Sequence, residues 1–406
     1  MTIPEGGPVR AAIVAVLGIF ALNGVVFGSW APRVPALAAQ IGAEEGALGL
    51  SLLGASIGMI ASALLSGSLC ARYGAKVMVL ISAIAGCVVL PVLGLATSPL
   101  QLGLVLVVLG VTVGALDVAM NIAAVTAIRQ SGRAIMPVFH AFFSIGGLIG
   151  ALGAAGAAAL ALNPLRHLAI VAVIGVAMAI GFARRIPIED LKPQALDTGP
   201  KKSLVKRPVL WLLGFIALCS SVAEGASVDW SAFFGVHERG IGEASAALIY
   251  AGFSVCMAIA RLLGERIETR WGSQRMLIGG STVGALGLFI AVLVPVPAFT
   301  YIGFALAGMG LAYGFPVALE LAGAVGRRAD GGGGERELGF VTTIAYSGFL
   351  LGPPMIGGIA SATSLPIALG VAAVIAWAMA PLTLLANRAR RREQQTRQQA
   401  VETANA

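Results

Sequence analysis

The sequence predicts an all-α polytopic membrane protein with twelve transmembrane helices in two pseudo-symmetric six-helix bundles. Three observations carry that reading. Hydrophobic residues make up 58% of the 406 positions and charged ones only 11%, with 54 glycines and a mean hydropathy of +0.91, beyond what a water-soluble domain carries. Apolar stretches of roughly 20 residues, the length needed to cross ~30 Å of hydrocarbon, recur along the whole chain. Finally, all but three of the 27 Lys and Arg residues fall in alternate gaps between these stretches.

The spans fall at about 11–30, 47–69, 77–96, 101–125, 137–160, 167–183, 208–232, 244–263, 276–294, 298–322, 339–360 and 365–386, with boundaries uncertain by a few residues. One set of gaps holds Arg72 and Lys76, Arg129 and Arg133, the cluster from Arg184 to Arg207, Arg261 to Arg275, Arg327 to Arg336, and the tail from Arg388. The other set holds only Arg33, Arg166 and Arg239. Arg261, at the end of span 8, is counted here with the loop, which leaves the spans without a cation. By the positive-inside rule the basic gaps, and with them both termini, are cytoplasmic. The net charge of +8 then reflects anionic lipid headgroups and requires no nucleic acid. The apolar run after Arg10 is too long for the core of a secretory signal and reads as a retained first span. Cys70, Cys87, Cys219 and Cys256 lie in spans or at their ends, in no disulfide or metal-ligand spacing.

The longest polar interruption divides the chain into residues 1–183, a basic linker 184–207, residues 208–386 and a solvated tail 387–406. Internal similarity supports this division. Gly110-Val-Thr-Val-Gly114 in span 4 pairs with Gly310-Leu-Ala-Tyr-Gly314 in span 10, and the turn Arg72-Tyr-Gly74-Ala-Lys76 after span 2 pairs with Arg270-Trp-Gly272-Ser-Gln-Arg275 after span 8. Small residues four apart also let membrane helices approach closely, which alone accounts for many of the glycines.

With six plus six spans, a basic central loop and Arg-x-Gly turns after spans 2 and 8, the chain resembles the major facilitator superfamily of secondary transporters along nearly its whole length. The runs Phe27-Gly-Ser-Trp-Ala-Pro-Arg-Val-Pro35, Leu116-Asp-Val-Ala-Met-Asn121, Phe139-His-Ala-Phe-Phe-Ser-Ile-Gly-Gly147 and Glu224-Gly-Ala-Ser-Val-Asp-Trp-Ser231 resemble its fucose-permease-like branch, which includes membrane proteins of rhizopine (inosamine) gene clusters. The resemblance implies alternating access to a central site, with the turn residues Arg72, Gly74, Lys76, Arg270, Gly272 and Arg275 at a cytoplasmic gate. Two departures qualify it. Ala71 precedes Arg72 where the superfamily usually places an acid, so the customary charge clamp is in doubt. The Gly-Pro-x-x-Gly-Gly run typical of span 5 in drug antiporters occurs instead in span 11, as Gly352-Pro-Pro-Met-Ile-Gly-Gly358, which counts against that type of exporter.

An ionisable group inside a membrane is a functional candidate by default, because it must face a polar cavity or a partner. Asp117 in span 4, with Asn121 one turn on, suits proton uptake and release as water access changes sides; a structural hydrogen bond to Asn121 is the plainer alternative. The resemblance points the same way, since sugar/proton symporters of the superfamily use a span 4 carboxylate. Glu224 is the second proton-coupling candidate. It lies in Ser220-Ser-Val-Ala-Glu-Gly-Ala-Ser-Val-Asp-Trp230 of span 7, whose serines and glycine predict an easily unwound, cavity-lining segment. Asp229 and Trp230 follow as substrate candidates, Trp230 alternatively as an interfacial anchor. Asn23 in span 1 offers the donor and acceptor that polyol hydroxyls require. His140 and Ser144 in span 5, and Tyr313, Tyr346 and Ser347 in the second half, complete the substrate set, while Glu320 reads as a partner for a basic loop. Arg33, between Pro32 and Pro35, is expected at the outer mouth.

No phosphate-cradling loop, His-Glu-x-x-His or clustered histidines occur, so the sequence gives no reason to expect an enzyme, a metal or another cofactor; Gly331 to Gly334 reads as a flexible linker. The expectation is therefore a monomeric, proton-coupled inner-membrane transporter of a sugar, inositol or amino-polyol, whose partners are the solute, protons and lipid. Two acids without an intramembrane base would suit an amine-bearing polyol. An exporter of small hydrophobic or toxic compounds, or a non-cycling sensor with the transporter fold, remains open at this point.

Overall fold

In a computed structural model, residues 7–132, 135–188, 204–326 and 334–405 are described. Helix α1 (Gly7–Trp30) runs through a short 3-10 turn, Ala31–Arg33, into α2 (Val34–Ile41). It is followed by α3 (Glu45–Tyr73), α4 (Ala75–Val89), α5 (Pro99–Ser131), α6 (Met136–Ala159) and α7 (Pro164–Ala183). After the linker come α8 (Pro208–Arg239), α9 (Glu243–Leu293), α10 (Pro297–Leu311), α11 (Gly314–Gly326), α12 (Glu335–Ala362) and α13 (Leu365–Asn405). Among the described residues, eleven stretches are long and apolar enough to cross a membrane. One of them, α9, holds 51 residues and turns back at Gly272, so it supplies two crossings and the total is twelve. Both ends of the described chain emerge on one face, called here the terminal face; the opposite one is the far face. The linker residues 189–203, with Arg133 and Gly331–Gly333, lie outside the described residues.

The reversals after spans 2 and 8 rest on the same backbone. Gly74 has φ 83° and ψ 146°, and Gly272 has φ 78° and ψ 154°, a region essentially closed to residues with a Cβ. These two positions differ by 272 − 74 = 198, and packing follows the same offset. Gly110 of α5 lies against the Ala55 carbonyl of α3, and Gly308 of α10 against the Phe253 carbonyl of α9; 308 − 110 and 253 − 55 are both 198. The repeat is thus two residues out of the register expected from Gly110 and Gly310. Gly310 instead packs on Gly284 and Gly280 in the second arm of α9.

Two other expectations change. Span 7 does not unwind: α8 is continuous from Pro208 to Arg239, with Ser221 and Ser227 donating back to the Ala217 and Ala223 carbonyls of their own helix at 3.0 and 2.8 Å. The tail is not simply solvated chain, because helix α13 continues to Asn405 through Arg, Gln, Glu and Ala, all good helix formers. It is also held: Glu393 pairs with Arg207 at 2.7 Å, Arg207 pairs with Glu337 at 2.7 Å and donates to the Val325 carbonyl, and Asn387 donates to Gln274.

The two halves meet along two seams, α3 against α12 and α6 against α9. At the far face the first seam is backbone to backbone. A Cβ on Gly49 would lie 2.6 Å from the Pro353 carbonyl and 3.0 Å from Gly357 Cα, and one on Gly46 would touch Ser361. There α8 also packs on α2 and the Ala31–Arg33 turn. The far face is therefore closed.

Candidate functional site

Near the middle of the bundle, six helices from both halves bring their polar side chains to the seam region. Asn23 on α1 is 1% exposed; its Nδ2 donates to Met120 Sδ at 3.7 Å and its Oδ1 has no partner among the described residues. Met120 is three residues past Asp117 on α5, so Asn23 and Asp117 lie about one helical turn apart in depth. Asn121 Nδ2 donates to the Asp117 main-chain carbonyl at 2.8 Å and to its Oδ1 at 3.4 Å. Tyr346 of α12 lies within electrostatic reach of Asp117, across the seam. The helical i+4 contact expected from the sequence is present, and no described cation pairs with Asp117.

On the other seam a cation does enter. Arg261 of α9 donates through Nη2 to Glu224 Oε1 of α8 at 3.3 Å and through Nη1 to Ser144 Oγ of α6 at 3.3 Å. It thus joins both halves. His140, one turn before Ser144, is within electrostatic reach of Arg261 and packs edge-on against Phe20 with ring centroids 5.3 Å apart. Arg261 and Glu224 side chains are only 20% and 18% exposed. At 1.5 Å per residue Arg261 lies ~16 Å of helix inside the Gly272 reversal and ~27 Å from the far end of α9.

This corrects the sequence reading in two respects. Arg261 is not a loop residue, because span 8 continues to Gly272. The spans therefore do contain a base, and Glu224 is paired. The premise of two acids facing the centre without a cation fails for Glu224 and holds for Asp117 and Asp229: no described side chain donates a hydrogen bond to Asp229. Tyr250 of α9, which the sequence reading missed, lies 5% exposed within electrostatic reach of both Asp229 and Glu224.

Other candidates lie elsewhere. Trp230 is completely buried against Phe233, ring centroids 5.7 Å apart, its indole nitrogen without a partner among the described residues, so it is neither a surface anchor nor an exposed stacking platform. Tyr313 donates to the Ala260 carbonyl at 2.9 Å and packs between the two arms of α9, away from both seams. Ser347 donates within its own helix to Ile344 at 2.6 Å. Glu320 is exposed on α11. Arg33 does not line an open mouth: it is 3% exposed and donates to the Leu162 carbonyl at 2.8 Å under the closed far face. On the terminal face Lys76 donates to the Arg184 carbonyl at 3.0 Å, Arg72 lies 5.3 Å above the Tyr73 ring, and Arg270 and Arg275 are exposed.

Known proteins agree with this architecture. A curated MFS-type transporter of uncharacterised function from Yersinia pestis is 34% identical over 88% of this chain and 91% of its own length. The uncharacterised transporter y4wD of Sinorhizobium fredii is 30% identical over 89% and 96%, and the membrane protein MosC of Rhizobium meliloti is 26% identical over 89% and 86%. Among solved structures, a variant of the nucleoside transporter NupG superposes with a TM-score of 0.75 at 13% identity, covering 92% of this chain and 99% of that one. A bacterial homologue of the human lysosomal transporter Spinster, inward-facing and occupied, gives 0.72 at 14% identity, covering 95% and 98%; at such identities these two likenesses concern the fold alone. The sequence profile of the Major Facilitator Superfamily matches residues 15–325 and 236–404, and the chain belongs to that superfamily of membrane transporters.

Proposed function

We propose that the protein is a proton-coupled secondary transporter of a small polyhydroxylated solute such as a sugar, an inositol or an amino-polyol, working by alternating access. The observation that carries this reading is the mid-membrane site itself. A carboxylate whose described hydrogen bond is from Asn121 lies within electrostatic reach of a tyrosine of the opposite half, and on the other seam an ion pair touches both halves. An isolated carboxylate in a low-dielectric site is stable only when protonated or hydrated, so Asp117 loads a proton from one side and releases it when water reaches it from the other. Asn23, Asn121, His140, Ser144 and Tyr346 supply donors and acceptors for solute hydroxyls, with Asp229 behind them towards the far face.

The asymmetry of Lys and Arg supports an orientation with the terminal face in the cytoplasm of a bacterial inner membrane. The closed far face then corresponds to an inward-facing state, and the halves rock about the two seams to expose the site outward. The pairing of Glu224 with Arg261 favours Asp117 over Glu224 for proton coupling on this reading, with Glu224 positioning Arg261. We take the working unit to be the monomer.

The test is uptake of labelled neutral, amine-bearing and carboxylate-bearing sugars and inositols into proteoliposomes, with and without an inward proton gradient. Gradient-driven accumulation of a neutral or amine-bearing polyol is expected. Accumulation confined to hydrophobic compounds, with outward proton coupling, would replace this reading with the exporter.

A further inference from the structure

Proline inside a membrane helix removes one donor from the backbone ladder and leaves the carbonyl four residues earlier without its partner. Helix α12 contains Pro353 and Pro354, and the carbonyl that Pro353 deprives is Phe349. That carbonyl is not left open. Ser56 Oγ of α3, in the opposite half, donates to it at 2.8 Å, and Ser56 is 9% exposed. Other hydroxyls on these helices bond back to their own helix, as Ser62 does to Met59, Ser66 to Ser62 and Thr342 to Leu338, or stay within their own half, as Ser51 does with the Ala47 and Pro99 carbonyls; Ser56 instead crosses the seam to the acceptor that proline frees.

The surroundings make the contact directional. From Ser56 to the far face the seam narrows to the glycine contacts: Gly49 on Pro353 and Gly357, Gly357 on Glu45, where an added Cβ would lie 2.5 Å from the carbonyl, and Gly46 on Ser361. The glycines on either side of Ser56 turn to their own half, Gly54 meeting Gly103 and Gly58 meeting Val107 and Gly110 of α5. The Ser56 bond lies about two helical turns inside the Gly49 contact. The other seam lacks the device. Its equivalent serine, 56 + 198 = 254, faces Gly147 on α6, a helix with no proline beyond its first turn, so no carbonyl is freed there.

We infer that Ser56 and Pro353 together form a latch that holds the far face closed: the serine reads a carbonyl made available by proline, and the bond must break for the halves to part. Ser56 is on this account a positioning residue for the transport cycle. It acts on the balance between far-closed and far-open states and not on the solute. The inference relies on the transporter reading only for the consequence of opening. The seam can be measured directly, so a failed latch and an absence of uptake are separate results.

The experiment uses the full-length protein in lipid nanodiscs with its four cysteines replaced and spin labels at Glu44→Cys and Thr363→Cys, at the α2–α3 and α12–α13 turns of the far face. Ser56→Ala removes the donor. Pro353→Ala restores the backbone donor to Phe349 and removes the free acceptor. Each single variant is expected to lower the ratio of short to long label distances roughly fivefold, as expected for loss of one net hydrogen bond, and the double variant to shift it no further than either alone. Pro353→Ala keeps the helix intact, so a misfolded Ser56→Ala protein would not leave the question open. Unchanged distances in Pro353→Ala, or additive shifts in the double variant, would overturn the latch.

Discussion

Replacing Arg261 with glutamine is expected to abolish transport and to destabilise the protein by about 3–5 kcal/mol, because Glu224 would keep a largely buried charge without its guanidinium. Removing both charges together should behave differently. The double variant Arg261→Gln, Glu224→Gln leaves two neutral amides in place of an ion pair, and such paired removal is often close to neutral for stability. Its thermal unfolding in detergent is therefore expected near that of the wild type, while uptake stays lost, since the cation that ties Ser144 of one half to Glu224 of the other is gone. The contrast with Arg207 sharpens the expectation. Arg207 makes two ion pairs at 2.7 Å with Glu337 and Glu393, none of them in the first half; Arg261 holds its carboxylate at 3.3 Å and reaches Ser144 of the first half as well. A double variant as unstable as the single one would show that Arg261 acts through packing and not through the pair.

A bulky side chain at Gly49 is expected to prevent far-face closure without unfolding the protein. Even the first carbon of a side chain there would sit 2.6 Å from the Pro353 carbonyl and 3.0 Å from Gly357 Cα, so α3 and α12 must separate. Overpacking of this kind costs about 1–3 kcal/mol, a shift of roughly 5- to 150-fold in the ratio of closed to open states. The face of α3 that builds its own half is untouched, since Gly54 and Gly58 pack on α5. For Gly49→Leu, solute exchange should fall by a similar factor, and a cysteine placed at Gly46 should become reactive to a membrane-impermeant thiol reagent from the far side. Wild-type reactivity together with wild-type exchange would mean that the seam has slack that the backbone contacts do not show.

The twelve crossings were legible in the sequence because hydropathy and positive-charge asymmetry are long-range averages that single residues do not disturb. Details set by one contact were harder to read. Glycines recur so often in span 10, at Gly303, Gly308, Gly310 and Gly314, that pattern alone could not select the partner of Gly110; only packing against Phe253 identifies Gly308. Hydropathy puts Arg261 in a loop because a cation lowers the apparent hydropathy of a span's end. Yet the signal that locates it was present: the turn repeat places the end of span 8 at Trp271, leaving Arg261 about three turns inside the helix. The predicted break in span 7 fails because its serines satisfy their own helix, which composition cannot distinguish from cavity lining. The Ser56 contact had a partial sequence signal in Pro353, but which residue fills a freed carbonyl depends on the facing helix.

The most direct measurement of the central claim is transport by Asp117→Asn in proteoliposomes, comparing gradient-driven accumulation with solute exchange at equal pH. Asparagine keeps the size and the hydrogen bonding to Asn121 but cannot load a proton. The account predicts that accumulation is lost while exchange continues, because the substitution uncouples solute movement from the proton and leaves alternating access intact. Accumulation equal to that of the wild type would contradict it and move coupling to another acid of the site, with Asp229 the one that lacks a cationic partner.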